Sequence, residues 1–338
     1  MSSNDVDLLN TSSLEPAPTR RNRIALLSVC LAALMFSLEI SSVPVILPTL
    51  ESVLHSDFKD IQWIMNAYTI ACVSVLMATG TLADRFGRKR VFLISIALFA
   101  FSSLLCGLAN SLGMLVFARI LQGLAGGPLM PLSQSLLLRI FPPRMAPAAI
   151  GLWSMTTLIA PVLGPIVGGW ICDEYTWHWI FLINIPVALV CAFAVWHLVR
   201  RYEQPLLKNP IDTVGLILLI VWVGSLQLML DEGKNLDWFA SPMIVALAAV
   251  AVVGFAAFMI WELHAEHPIV DLRVFRHRGF SMAVLTISLA FAAFFAVNVL
   301  TPLWLQSFMG YTATDAGMAT AFTGVTALIV APIVASSK

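Results

Sequence analysis

The sequence predicts an all-α polytopic membrane protein, and three observations carry that prediction. Of 338 residues, 59% are hydrophobic and 11% charged, against about 25% charged in a soluble domain, and mean hydropathy is +0.89. The apolar residues gather into ten stretches, at 24–50, 62–83, 91–110, 113–138, 147–171, 178–199, 211–230, 242–263, 280–303 and 314–335. Each reaches the roughly 20 residues that a bilayer-spanning helix needs. With the N-terminus placed in the cytoplasm, 16 of the 19 basic residues fall in inside segments, Lys59 and Lys234 fall outside, and Arg119 lies within a span. A bias of that sign sets membrane orientation. Apolar excess excludes a soluble enzyme and a disordered chain, and a formal net charge of zero argues against a nucleic-acid binder. The stretches show no period-2 alternation, so a transmembrane barrel is not expected. Helices, which satisfy their own backbone in lipid, remain.

Residues 1–23 read as a polar cytoplasmic tail carrying Arg20, Arg21 and Arg23. Span 1 follows directly and runs 27 residues, too long for a cleaved signal core, so it is expected to be retained. It holds Glu39, the only acidic residue deep within any span, and Pro44, which predicts a kink. A carboxyl group withdrawn from water can bind a proton near neutral pH, so Glu39 is the candidate proton carrier.

Span 2 leads into Gly80-Thr81-Leu82-Ala83-Asp84-Arg85-Phe86-Gly87-Arg88-Lys89-Arg90. Gly80 and Gly87 allow close backbone approach and a sharp turn, and Asp84 can accept from arginine donors or face a helix N-terminus. Span 4 carries Leu115-x-x-x-Arg119-x-x-Gln122-Gly123 and then Ala125-Gly126-Gly127-Pro128. A membrane arginine is costly unless paired or hydrated, and Arg119 shares a helix face with Gln122. Span 5 holds Gly151, Ala160, Pro161, Gly164, Pro165, Gly168 and Gly169, a set that predicts close helix packing and a kink. Asn66, Gln122 and Trp153, on spans 2, 4 and 5, are candidates to line a cavity.

Spans 7 and 8 flank an acidic outside loop at 231–241. The inside loop 264–279 holds His264, Glu266, His267 and Asp271 and reads as a solvated linker rather than a metal site. All five cysteines lie in apolar spans and form no C-x-x-C pair, so they are expected to act as small hydrophobes.

The 80–90 loop resembles the signature loop of the major facilitator superfamily, and the span-4 pattern resembles a second motif of its proton-driven members. Span 5 resembles the antiporter motif Gly-x8-Gly-x3-Gly-Pro-x2-Gly-Gly, with Ala160 at one glycine position. Leu38–Pro48 resembles span 1 of the fourteen-span drug:proton antiporters of EmrB/QacA type. There, Asp stands at the position of Glu39 and Asn at that of Pro44. Gly127–Leu136, Leu152–Thr156, Trp179–Pro186 and Pro268–Leu272 also look like this family.

The resemblance implies the major facilitator fold, with about ten of an expected fourteen helices present. Residues 24–199 would form the N-terminal six-helix bundle, 211–263 a linking two-helix hairpin, and 280–335 the first two helices of an incomplete C-terminal bundle. It further implies proton-coupled export of hydrophobic or amphipathic drugs across the bacterial inner membrane. The energy source would be the proton gradient, with no cofactor. The partners would be an EmrA-type periplasmic adaptor and a TolC-type outer-membrane channel. Arg119 would be the electrostatic partner of Glu39, residues 80–88 a conformational latch, and the span-5 residues a hinge. A truncated membrane subunit without transport activity, or an exporter of a metabolite, is the alternative expectation.

Overall fold

The computed structural model describes residues 20–142, 144–198, 212–266, 268–312, 314–316 and 318–319. Among them the regular elements are helices: α1 Arg20–Leu54, α2 Phe58–Phe86, α3 Arg88–Gly107, α4 Leu112–Gly126, α5 Leu129–Ile140 and α6 Ala146–Glu174. Then come α7 His178–Leu182, α8 Asn184–Leu198, α9 Thr213–Gly233, α10 Pro242–His264 and α11 Arg278–Met309. Seven helices are long and apolar enough to cross a membrane, and the bent pair within α6 makes an eighth. The 32-residue α11 occupies the expected ninth span. Most of the expected tenth span lies outside the described residues.

Three spans depart from straight helices, and proline accounts for each. Span 4 divides into α4 and α5 at Gly127-Pro128, because Pro128 has no N–H to give the Leu124 carbonyl. Span 6 divides into α7 and α8 at Ile183. Pro186 has no N–H for the Leu182 carbonyl, and its ring crowds that group. The break makes Asn184 the first residue of α8. In α6 the segments 146–161 and 163–174 meet at 41°, with Pro161 and Pro165 at the bend. By contrast α1 continues as one helix through Pro44 and Pro48.

The turn between α2 and α3 is a single residue, Gly87, at φ 91. That backbone conformation is strained for any residue with a Cβ. Its N–H donates to the Ala83 carbonyl.

α1 packs along α6 and α8, α2 against α4, and α3 against α4 and α8. α9 and α10 form a hairpin that leans on α2 through α9, with Lys59 Nζ 3.1 Å from Glu232 Oε2. Two apolar cores stack along this bundle. One gathers Val29, Phe36, Phe92, Phe99, Leu129 and Leu136. The other gathers Ile46, Leu50, Ile64, Leu115, Trp177 and Phe181. Glu39, Ser103, Arg119, Gln122 and Asn184, all buried, lie in sequence between members of the two cores on each of their spans.

Close approach of α2 and α4 depends on small residues. A Cβ on Gly123 would run into the Tyr68 carbonyl, and one on Gly127 would lie 2.6 Å from the Cys72 carbonyl oxygen. Gly123→Val therefore forces backbone from backbone and should lower the melting temperature of the purified protein by several degrees, from overpacking of about 1–3 kcal/mol. Gly113→Ala, where nothing stands within 4 Å, should leave it unchanged.

Candidate functional site: a buried ion pair between two apolar cores

Glu39 lies between Phe36 and Val43 on α1, about one helical turn from each core. Arg119 occupies the matching level of α4, after Ala118. Their side chains meet, with Arg119 Nη1 2.8 Å from Glu39 Oε1, and both are essentially sealed from the surface, at 2% and 0% exposure. Arg119 Nη1 also donates to Gln122 Oε1 at 2.6 Å, and its Nε donates to the Ile64 carbonyl of α2 at 3.1 Å. The guanidinium carbon sits 3.9 Å from the centre of the Tyr68 ring, a stacking that suits a desolvated cation. Asn184 Nδ2 donates to the second carboxyl oxygen, Oε2. Gln122 Nε2 donates to Ser103 Oγ of α3 at 2.8 Å.

The polar layer thus draws on five spans. Taking two charges from water costs several kcal/mol per ion, and the pair is tolerable only with good geometry and its remaining bonds satisfied. Asn184, Ile64, Gln122 and Tyr68 supply that surround.

Among the described residues, two cavities border the pair. One of about 100 Å³ lies between α1, α6 and α7–α8 and is bordered by Glu39, Ser42, Gly168 and Asn184. The other, of about 240 Å³, lies between α1 and α2 and is bordered by Ile40, Met65, Tyr68, Cys72 and Arg119. Both walls are mainly apolar.

The remaining candidates separate. Gln122 is fully buried in the ion-pair network and lines neither cavity. Asn66 is half-buried and also lines neither. Trp153 donates from Nε1 to Ser133 Oγ at 2.8 Å and packs against the first core. In the 80–90 segment Arg88 Nη2 reaches Asp84 Oδ1 at 3.2 Å across the Gly87 turn, on the exposed surface. Arg85 lies over the Phe86 ring. Gly80 has nothing within 4 Å of its Cβ position, so the expected close approach is not made among the described residues. Lys89, which the motif reading passed over, is buried and donates from Nζ to the Trp196 carbonyl at 2.9 Å.

On α6, Gly164 and Gly168 face α1. A Cβ on Gly164 would run into Ser41, and one on Gly168 would come within 3.0 Å of Ser42 Cβ. Ser41 Oγ lies 3.0 Å from the Ala160 carbonyl, next to Pro161. Pro165 and Gly169 are buried, whereas Gly151 has open space beside it. Asn184 was missed as a site residue. Its one signal in the sequence was an amide, two residues before a proline, within an apolar span.

A profile described as Major Facilitator Superfamily matches residues 29–337. The chain is 44% identical over 308 residues to the multidrug export protein EmrB of Haemophilus influenzae, covering 91% of this chain and 60% of that protein. It is 43% identical over 311 residues to EmrB of Escherichia coli K12, covering 92% and 61%. It is 41% identical over 308 residues to the fatty acid resistance protein FarB of Neisseria gonorrhoeae, covering 91% and 61%. The chain therefore spans about three fifths of the length of these relatives. Among solved structures, the POT family transporter PepTSo shares the fold, with TM-score 0.67 at 15% identity, over 96% of this chain and 70% of that one.

Arg119→Met leaves a buried carboxylate uncompensated and should destabilise the purified protein by about 3–5 kcal/mol. The double variant Glu39→Leu/Arg119→Met removes both charges. Its thermal unfolding should recover most of that loss, since apolar replacement of a whole buried pair is often neutral.

Proposed function

The chain belongs to the major facilitator superfamily, and from that premise we propose that it works in proton-driven export of hydrophobic or amphipathic drugs. The observation that carries the proposal is the Glu39–Arg119 pair, sealed between two apolar cores at the middle of the bundle. The names of the relatives, multidrug export and multidrug resistance proteins, support the substrate class. A transporter of this kind is not an enzyme. It binds and releases its cargo unchanged.

Proton coupling follows from electrostatics. With Glu39 ionised, the pair is neutral overall and the packed arrangement is favoured. Protonation of Glu39 removes the counter-charge, and a lone buried arginine is costly in a low-dielectric interior. The bundle then gains by admitting water or rearranging around Arg119. Proton occupancy thereby selects between conformations, as alternating access needs. Asn184 orients the carboxyl group from the opposite side. A drug entering beside Arg119 and Tyr68 would meet an apolar wall and the polarised edge of the pair. The cavity of about 240 Å³ is smaller than the roughly 300–1,000 Å³ of drug sites, consistent with a site that the second half of a carrier completes.

In this reading the protein sits in the bacterial inner membrane with its N-terminus in the cytoplasm, as the basic-residue bias indicates. An EmrA-type periplasmic adaptor and a TolC-type outer-membrane channel would continue the route outward. The segment 80–88 would act as a latch and the Gly-Pro bend of α6 as a hinge.

Everted vesicles containing the full-length protein should release protons when a hydrophobic cationic drug is added, and Glu39→Gln should abolish that release. Undiminished release in Glu39→Gln would overturn the assignment of Glu39.

A further inference from the structure

The two cavities beside the ion pair lie on different sides of α1. The smaller is bordered by Leu31, Met35, Leu38 and Ser42 of that helix, the larger by Ile40 and Val43. Each residue turns an α-helix by about 100°, which sets the first four along one face and the other two on the nearly opposite face. Glu39 falls at the edge between them, and its two carboxyl oxygens are bonded toward different sides. Oε1 accepts from Arg119, which borders the larger cavity, and Oε2 accepts from Asn184, which borders the smaller. No described residue borders both. The ion pair is a partition between two compartments.

We infer that the smaller cavity is a water chamber that delivers the proton to Glu39 Oε2, on the side of the pair away from the drug, with Asn184 as the positioning residue for that transfer. The inference rests on the export reading above and gives proton and drug separate approaches to one carboxylate. The chamber's volume of about 100 Å³ is several times the roughly 10–15 Å³ that one water needs. A buried water also needs about two to four polar partners, and Glu39, Ser42 and Asn184 stand on the wall to supply them. Ser42 Oγ gives its hydrogen to the Leu38 carbonyl and keeps a lone pair for a water. On the far side, Oε1 is taken up by Arg119 Nη1, so Oε2 is the oxygen that can bind a proton without displacing the guanidinium.

In the transfer, a hydronium in the chamber gives its proton to Oε2 and remains as water. The Asn184 amide donates to the ionised carboxylate through Nδ2. Turned about its last torsion, it presents Oδ1 and accepts from the acid O–H instead. One amide serves both protonation states because it carries a donor and an acceptor. Release runs the same steps backwards. Among the described residues Glu39 is the one titratable group on the chamber wall, while Arg119, Tyr68 and Cys72 border the other cavity.

The test uses the full-length protein in everted vesicles, with tetraphenylphosphonium as the drug. Val187→Phe puts a ring into the chamber wall, Val73→Phe puts one into the wall of the larger cavity, and Leu189→Phe puts one on the exposed side of α8. Val187→Phe should slow drug-induced proton release about tenfold and leave the equilibrium affinity for tetraphenylphosphonium within about twofold. Val73→Phe should weaken that affinity about tenfold, and Leu189→Phe should change neither. Asn184→Leu should slow release as Val187→Phe does. With the five native cysteines replaced by alanine, Ser42→Cys should react with a water-soluble thiosulfonate, and saturating tetraphenylphosphonium should not protect it. Release at the unaltered rate in Val187→Phe overturns the chamber, and so does an unreactive Ser42→Cys. Equal loss of drug affinity in Val187→Phe and Val73→Phe overturns the separation of the two compartments. An unaltered protein that releases no protons defeats the export reading itself and the chamber with it, so the two failures stay distinct. If Val187→Phe does not fold, the reactivity of Ser42→Cys still decides.

Discussion

A charged pair taken wholly out of water is the constraint around which this bundle is organised. Arg119 and Glu39 come from helices 80 residues apart in sequence and meet at 2.8 Å with essentially no exposure. Such a pair is not a source of stability, because desolvation offsets most of its attraction. What it imposes is registration. Glu39 needs Asn184 opposite, Arg119 needs the Ile64 carbonyl and Gln122, and Gln122 needs Ser103. Five spans must therefore stand at one height for the whole set of bonds to form. The apolar cores on either side supply the packing, and the glycines of α4 and α6 let the backbones come close enough for short polar side chains to reach.

What was legible in the sequence follows the size of the energetic penalty. Glu39 and Arg119 were visible because ionisable groups deep in apolar segments are expensive enough to demand a partner. Span positions were visible for the same reason on a larger scale. Asn184 was not, because a neutral amide costs much less and can rest at many places in a helix. Its role depends on the break before α8, which Pro186 causes in three dimensions. Gln122 was read as a cavity residue, yet the structure seals it inside the network, bonded to Arg119 and to Ser103. Asn66 and Trp153 line neither cavity, since polarity on the right span does not fix the side of the helix that is used.

The proline residues show how one chemical property has different outcomes by context. Pro128 and Pro186 interrupt their spans, and Pro161 and Pro165 accompany a bend. Pro44 and Pro48 leave α1 continuous. α1 is the helix that both α6 and α8 pack along, so neighbours on two sides support it where each proline removes a backbone hydrogen bond. The flanking serines contribute too, with Ser41 reaching out to the Ala160 carbonyl of α6.

Gly87 alone separates α2 from α3. A linker of several residues lets two helices slide past one another, but one residue supplies only its own pair of backbone rotations. The Arg88–Asp84 contact bridges that residue, and Lys89 fixes the start of α3 to α8. Axial displacement of α2 is thereby forbidden unless α3 travels with it. Any motion of α2 alone must be a swing about one fixed point at its end, so its opposite end, where Lys59 meets the linking hairpin, sweeps the largest arc.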